Sequence, residues 1–234
     1  MELPISTVDT AVAYIKIFEG PRHDRLRAVW RAFCAWQGLE LYEVENPGSV
    51  RPDVYLSEVW RVSWRCSKAR YIVLTEHDFL PCYKRFPVLP GEGYACVAAE
   101  HAQRSQDGTV SFTTRPAQWY MCFDRDVVSG AIDFTAPRSL YHDPGNDLHL
   151  TLPQQYGQGV QLLPQEDDGD YGLKCAAGHH LFWSRHYNDD PDRIVCGFRV
   201  GNILKAHDEH VRRYLENAPP DLLTRVEHEM EKTK

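Results

Sequence analysis

Two acidic side chains follow the apolar segment Arg70–Thr75 and could bind a metal ion. Glu76 and Asp78 are two residues apart, so in an extended segment both carboxylates point to the same side. Two carboxylates, with phosphate oxygens completing the shell, are a usual set of ligands for Mg²⁺ or Mn²⁺. The same spacing also suits residues that cap a turn or face solvent, so the pair alone leaves both interpretations open.

Three histidines lie close together later in the chain, at His179, His180 and His186. A neutral imidazole is a good ligand for Mn²⁺ or Zn²⁺, and the neighbouring Arg185 would suit a phosphate. In a strand, His180 and His186 share one face and His179 lies on the other. Surface or hydrogen-bonded core histidines are the alternative. A zinc site that uses Cys175 lacks a fourth ligand at finger-like spacing.

The acidic run Glu166–Asp170 could supply a general base. One member of this run could take a proton from a hydroxyl group or position that group, and Asp124, Asp126, Asp143 and Asp147 allow the same interpretation. The alternative is a solvated acidic loop, and spacing does not separate the two interpretations.

Arg22 and Arg25 lie where the first predicted strand meets the first predicted helix, and they could contact a nucleotide. Backbone amides at a helix N-terminus favour anions. The segment Phe18–Arg25 has neither the GxGxxG fingerprint nor a Walker lysine loop, which argues against a dinucleotide-binding or P-loop enzyme. Ordinary turn residues are the alternative.

The elements that must position these side chains alternate between strand and helix over the first eighty residues. Apolar runs predict buried strands, and apolar residues at helical spacing predict amphipathic helices. The predicted order is strand Thr10–Phe18, a helix over 26–36 that ends near Gly38, strand Leu39–Val44, a helix over 56–64 and strand Arg70–Thr75. Such an order favours a mostly parallel sheet with helices on both faces.

The rest of the chain has weaker patterns. After a loop over Pro81–Gly93, we expect strands at Val110–Thr114 and Gln118–Phe123, separated by Arg115-Pro116. A short helix or strand over Val127–Pro137 and a loop over Tyr141–Asp170 should follow. The last part should contain strands at His179–Tyr187 and Ile194–Val200 and helices from Asn202 onward, interrupted at Pro219-Pro220. This predicts one domain over residues 1–201 and a helical C-terminal extension over 202–234, packed on the domain or projecting from it.

Composition narrows the class of protein. The chain has 234 residues, 43% of them hydrophobic, and its 26 basic and 33 acidic residues give a net charge of −7. This charge argues against bulk electrostatic capture of nucleic acid. No window approaches the ~20 apolar residues that span a bilayer, and no signal peptide is recognised. Seven scattered cysteines without a CxxC pair predict reduced thiols in a cytoplasmic protein.

The combination resembles the GT-A family of nucleotide-sugar glycosyltransferases. Thr75-Glu76-His77-Asp78 is similar to a Glu-x-Asp variant of the family's Asp-x-Asp motif, Trp119–Val127 is similar to its second sheet segment, and His180-Leu181-Phe182 is similar to its late metal-binding histidine. The resemblance extends over 10–187. It implies a GT-A-like α/β fold: a Rossmann-like, mostly parallel central sheet flanked by helices, with a smaller mixed or antiparallel sheet segment.

The same resemblance implies transfer of a sugar from a nucleoside-diphosphate sugar, a UDP-sugar first among them, to a hydroxyl acceptor. Glu76, Asp78 and His180 would bind Mn²⁺ or Mg²⁺, although His179 and His186 stay open as the late ligand. Arg22, Arg25, Glu76, Arg185 and His186 would contact the donor. In an inverting enzyme, Asp168 or Asp167 would be the base, whereas a retaining enzyme needs no base there.

Two rival functions stay open, a nucleotidyltransferase that uses a nucleoside triphosphate and a non-catalytic binding protein on a degenerate transferase scaffold. The acceptor also stays open. A modified DNA base is one candidate beside sugars, proteins and small molecules, because aromatic and basic residues interleave at Trp60, Arg61, Trp64, Arg65, Lys68 and Arg70. On a helix, however, the two tryptophans share a face that favours burial.

Overall fold

The protein is an α/β structure with one large mixed sheet and a second, smaller sheet. The computed structural model describes residues 10–16, 21–45, 57–61, 63–64, 68–105, 109–129, 132, 145, 148–169, 172–181, 190–195 and 197–232. In chain order the elements are β1 (Thr10–Lys16), α1 (Pro21–Gln37), β2 (Glu40–Glu45), β3 (Tyr71–Glu76), β4 (Phe79–Pro81), β5 (Tyr94–Arg104), β6 (Val110–Asp124), α2 (Leu148–Tyr156), β7 (Gly159–Leu163), β8 (Glu166–Asp167), β9 (Gly172–Cys175), β10 (Gly178–Leu181), β11 (Ile194–Val195), β12 (Phe198–Arg199), α3 (Val200–Glu216) and α4 (Pro220–Glu231).

The first half of the large sheet is parallel, as the alternating strands and helices predict. β1 pairs in parallel with β2 on one side and with β3 on the other. α1 connects β1 to β2 and ends before Gly38, whose φ of 69° is the left-handed conformation that terminates a helix. Residues 57–61 and 63–64 are helical, in agreement with the second predicted helix. These connections bring the carboxyl ends of β1 and β3 to the same edge of the sheet.

The other half of the large sheet is antiparallel in part, so the expected mostly parallel sheet is only partly correct. The strand order is β2-β1-β3-β6-β5-β7. β6 runs antiparallel to both β3 and β5, and β7 is parallel to β5. β5 was not predicted because its many alanines give a weak strand pattern.

The prediction of two strands separated by Arg115-Pro116 was wrong, because β6 runs continuously through both residues. Pro116 lies opposite Glu100, next to a register shift in the ladder between β5 and β6. An irregularity of this kind is where a strand tolerates a proline, which cannot donate a ladder hydrogen bond.

The smaller sheet has the strand order β4-β10-β9-β8, and all of its pairs are antiparallel. The predicted loop over Tyr141–Asp170 was wrong where α2, β7 and β8 occur, and the single strand predicted at Ile194–Val200 is the hairpin of β11 and β12. Of the predicted strand His179–Tyr187, β10 covers the first three residues and 182–189 lie outside the described residues. Most of Val127–Pro137 also lies outside them.

The C-terminal helices pack on the rest of the molecule. α3 and α4 are separated near Pro219-Pro220, as predicted. Leu222 and Val226 of α4 are buried in the same hydrophobic cluster as Leu26 and Val29 of α1. The hydroxyl of Tyr214 donates a hydrogen bond to the carbonyl of Pro81 at 2.9 Å. The division at residue 201 stays a prediction, but the described helices share the core of the preceding elements.

An ion-pair clamp fixes α1 against β2. Nε of Arg27 donates to Glu43 at 2.6 Å, and Arg31 donates to both carboxylate oxygens of Glu43 at 2.5 and 2.8 Å. The carboxylate is 16% exposed, so water screens these contacts only partly.

Two further expectations concern cysteines and membranes. Each cysteine within the described ranges, namely Cys34, Cys82, Cys96, Cys122 and Cys175, is a free thiol, in agreement with the expectation of reduced cysteines. Among the helices of the described residues, none combines the length and apolar character needed to cross a bilayer.

Candidate metal centre

The acidic motif Glu76-His77-Asp78 lies at the carboxyl edge of the parallel half-sheet. Ile72–Thr75 of β3 are fully buried, and Glu76 ends the strand in register with Ile15 of β1. Open α/β sheets bind ligands at this edge, because loops diverge there and leave a crevice.

The smaller sheet brings His180 to this motif. β4 begins directly after Asp78, and β10 pairs with β4 so that His180 is opposite Phe79. The backbone amide of Leu181 donates to the carbonyl of Asp78 at 3.0 Å. A histidine about one hundred residues away in sequence is thereby placed beside the acidic motif.

Glu76, Asp78 and His180, which we call the first cluster, converge on one point. Nε2 of His180 is 3.5 Å from a carboxylate oxygen of Glu76 and 3.7 Å from one of Asp78, and one ligand atom of each residue lies within 4.8 Å of the others. Atoms that share an ion at bond lengths of ~2.1 Å stand roughly 3–3.5 Å apart. Two carboxylates and one imidazole therefore fit a dication such as Mn²⁺ or Mg²⁺.

Burial gives these three side chains little freedom. The side chains of Glu76, Asp78 and His180 are 14%, 6% and 9% exposed, respectively. The imidazole of His180 also stacks on the indole of Trp119, with centroids 4.7 Å apart and the planes 3° from parallel. Trp119 is held in turn by β6, where its carbonyl accepts a hydrogen bond from the hydroxyl of Thr75 at 2.9 Å. Trp119 thus orients the late histidine, a role that spacing did not reveal.

His77, the middle residue of the motif, connects the motif to α1. Nδ1 of His23 lies 2.6 Å from Nε2 of His77, and both residues are buried. The first turn of α1 is therefore fixed against the motif. Sequence reasoning missed this pair, because neither histidine lies in a recognisable pattern.

The basic residues that the sequence analysis proposed as donor contacts differ in their surroundings. Nε of Arg22 bonds both carboxylate oxygens of Asp208 on α3 at 3.1 Å, so this guanidinium already has a carboxylate partner. Nε of Arg25 is buried and has no hydrogen-bond partner among the described residues. Arg185 and His186 lie outside the described residues.

Strand register separates the two candidate bases. Asp167 is opposite Leu173, which is opposite His180, and directly opposite residues of antiparallel strands share a face. Asp167 is therefore on the His180 face of the small sheet, and Asp168, the next residue, is on the other face. Both side chains are exposed. Asp124 is opposite Tyr71, at the far end of β3 from the motif.

A second group of possible metal ligands lies on the opposite face of β10. Asp168, His179 and His210, which we call the second cluster, also have ligand atoms within 4.8 Å of one another. Burial, reinforced by the nearby His210 and His180, lowers the pKa of His179 to about 3, so its imidazole is neutral at physiological pH. Sequence reasoning missed His210. The available signal was the spacing of His207 and His210, which puts both on one face of a helix.

Comparison with known proteins finds solved structures to which the chain is similar. No family model matches the chain, and no curated protein matches it. The chain is similar to the catalytic domain of Drosophila beta1,4-galactosyltransferase 7 in complex with xylobiose, with 13% identity, 87% of this chain and 79% of that chain covered, and a TM-score of 0.48.

A second structure of the Drosophila enzyme, a variant with manganese, UDP-Gal and xylobiose, has 12% identity, covers 83% of this chain and 79% of that one, and has a TM-score of 0.45. A glycosyltransferase involved in glycosylation of the major capsid of PBCV-1 has 11% identity, covers 94% and 99%, and has a TM-score of 0.46. Each of these TM-scores is below 0.5, and what the site can do follows from its own side chains.

Proposed function

We propose that this protein is a metal-dependent glycosyltransferase that moves a sugar from a nucleoside-diphosphate sugar to a hydroxyl acceptor. The observation that supports this most is the first cluster, in which Glu76, Asp78 and His180 meet at the carboxyl edge of a buried parallel strand. The site combines ligands for a hard dication with the crevice where α/β sheets bind nucleotides.

Glu76, Asp78 and His180 would hold Mn²⁺ or Mg²⁺. When bound there, the dication supplies positive charge that offsets the charge developing on the leaving diphosphate. Two contacts within the chain position these ligands. Trp119 keeps the imidazole of His180 oriented, and the contact between His23 and His77 keeps the motif in place relative to α1.

Arg25 is our candidate for a contact with the donor phosphates. Its Nε makes no hydrogen bond to the described part of the chain, whereas the guanidinium of Arg22 is already paired with Asp208. An unpaired guanidinium donor near a helix N-terminus suits a phosphate oxygen. Arg185 and His186 keep their proposed role on the strength of the sequence resemblance.

Asp167 is our candidate for the general base of an inverting reaction. Register puts it on the same face as His180, two strand spacings away, or roughly 10 Å. In this reaction the bond between the anomeric carbon and the diphosphate oxygen breaks, and its electron pair leaves with the diphosphate. The acceptor oxygen forms the new bond to carbon, and its proton goes to Asp167.

A UDP-sugar is the first donor to test, because the sequence resemblance implies one. The test measures release of UDP from UDP-sugars, with water or simple sugars as acceptor, in Mn²⁺ and in EDTA. We expect release in Mn²⁺ that falls by at least ~100-fold in EDTA and in Asp78→Asn, because charge stabilisation of the leaving group is lost.

The matched control is Glu92→Gln, which makes the same carboxylate-to-amide change at an exposed turn position. It should retain the parent's rate. Release of pyrophosphate from nucleoside triphosphates, without turnover of nucleotide sugars, would favour a nucleotidyltransferase instead. Absence of any metal-dependent turnover and of any nucleotide binding would support the non-catalytic alternative.

A further inference from the structure

The second cluster lies where three parts of the chain meet. Asp168 follows β8, His179 belongs to β10 and His210 belongs to α3. Nε2 of His179 is 3.4 Å from Oδ2 of Asp168, and Nδ1 of His210 is 3.9 Å from the same oxygen. The two imidazole rings are 4.5 Å apart and nearly perpendicular, at 80°. All three side chains therefore present ligand atoms to one small volume.

The contacts within this group leave a buried ligand atom unused. Nε2 of His179 is inaccessible to solvent and has no hydrogen-bond partner among the described residues, although Asp168 is close by. A buried imidazole nitrogen without a hydrogen bond is costly unless something else occupies it. The spacing of 3.4–3.9 Å is wide for hydrogen bonds and close to the spacing of atoms that share one ion.

The glycine at position 172 makes room for the imidazole of His179. A Cβ atom at Gly172 would lie 2.0 Å from Nε2 of His179. The imidazole therefore occupies the space that the side chain of any other amino acid at position 172 would need. Gly172 thus lets His179 reach across β9 to Asp168, which directly follows β8.

We propose that Asp168, His179 and His210 form a second metal site, specific for a borderline transition ion of the Zn²⁺ class. Two imidazoles and one carboxylate are a typical zinc set with one coordination position left open, and Asp168, 40% exposed, gives that position access to water. The first cluster has two carboxylates and one imidazole, which suits harder ions. The two sites lie on opposite faces of β10, through the adjacent residues His179 and His180.

The role of this ion is to tie α3 to the small sheet. His210 is the contribution of the C-terminal helix, and Asp168 and His179 are those of the sheet. An ion that binds only when these elements are together stabilises their contact. This proposal does not depend on the glycosyltransferase function, because it uses other residues on another face.

The test uses the full chain with Asp78→Asn in every sample, so that the first cluster is disabled throughout. Metal is removed with EDTA, and Co²⁺ is titrated as a spectroscopic substitute for Zn²⁺, followed by competition with Zn²⁺ and by metal analysis after dialysis. We expect one zinc per chain and strong visible Co²⁺ absorption, with Asp168→Asn and His210→Asn each weakening binding by at least about tenfold.

His228→Asn, which removes an exposed imidazole from α4, is the control and should bind like the parent. Gly172→Ala should weaken binding without removing a ligand, because its methyl group displaces His179. Asp168 is exposed, so its variant is expected to fold, and circular dichroism checks each protein. Failure of the parent to bind Zn²⁺ would overturn the proposal. So would Zn²⁺ binding by the Asp168→Asn and His210→Asn variants with the same affinity as the parent.

Discussion

His179 and His180 are neighbours whose imidazoles serve opposite faces of one strand, and the same alternation separates Asp168 from Asp167. His180 and Asp167 are on the face of the first cluster, and His179 and Asp168 are on the face of the second. Each adjacent pair therefore places one side chain on each face, and single substitutions can test the two proposed sites separately.

The first prediction concerns Asp167. Asp167→Asn should lower the rate of transfer to an acceptor by ~10²–10⁴-fold, because an amide cannot accept the proton of the acceptor hydroxyl. Stabilisation by nucleotide and Mn²⁺ should stay at the parent's level, which a thermal-shift measurement checks. A transfer rate equal to that of the parent would remove Asp167 from the mechanism.

The second prediction concerns Trp119 as a positioning residue. Trp119→Leu removes the indole on which His180 stacks, so the imidazole loses its orientation and Mn²⁺ affinity should fall by about tenfold. Mn²⁺ binding measured by electron paramagnetic resonance checks this. The control is Trp36→Leu, a partly buried indole of α1 that packs on Phe33. If both variants bind Mn²⁺ like the parent, the stacking has no positioning role.

At the scale of elements, the clamp of Arg27 and Arg31 on Glu43 makes the attachment of α1 dependent on pH. Burial raises the pKa of Glu43, but hydrogen bonds from Arg31 and Arg27 outweigh it and hold the pKa below its ordinary value of 4.5. A carboxyl with a lowered folded-state pKa contributes stability that is present above the unfolded-state value and is lost as the pH falls through the folded value.

Glu43→Gln should therefore lower the free energy of unfolding by ~1–3 kcal/mol at neutral pH. Below about pH 4.5, the free energy of unfolding should decrease less in this variant than in the parent. Urea denaturation across this range measures both effects. Glu58→Gln, which breaks an exposed pair with Arg61, is the control and should cost clearly less, because water screens that pair. Equal costs for the two variants would contradict a stabilising role of the clamp.

The elements also show where sequence patterns sufficed. β1, α1, β2 and β3 could be predicted because each has a clear local pattern, namely apolar runs in β1 and β3, alternation in β2 and a helical stripe in α1. β5 is rich in alanine and α2 contains Pro153, so their local patterns are weak and tertiary pairing decides their structure.

The candidate sites were predictable to different degrees. Glu76 and Asp78 could be singled out in the sequence because both carboxylates directly follow a buried apolar strand, although His77 and Asp78 form a turn and do not continue that strand. The second cluster was not, because it needs the pairing of β8, β9 and β10, the missing side chain of Gly172 and the docking of α3. Such long-range coincidences leave no periodic signal in a single sequence.

At the scale of the molecule, the C-terminal helices behave as part of the fold. Leu222 of α4 is fully buried in the core cluster that contains α1, whereas its neighbour Leu223 is half-buried. Leu222→Ala should lower the free energy of unfolding by ~2–5 kcal/mol, and Leu223→Ala should cost clearly less. Denaturation should show one transition in both. Loss of α4 in a separate, earlier transition would instead describe an appended helix.

The proposed transfer requires a dication held by Glu76, Asp78 and His180 to bind the donor diphosphate. Calorimetric titration of UDP into the full chain, with Mn²⁺ and with EDTA, measures this binding. We expect UDP to bind in Mn²⁺, with an affinity that falls by at least about tenfold in EDTA and in Asp78→Asn, but not in Glu92→Gln. Binding of UDP with the same affinity under all four conditions would rule out a metal ion between these side chains and the diphosphate.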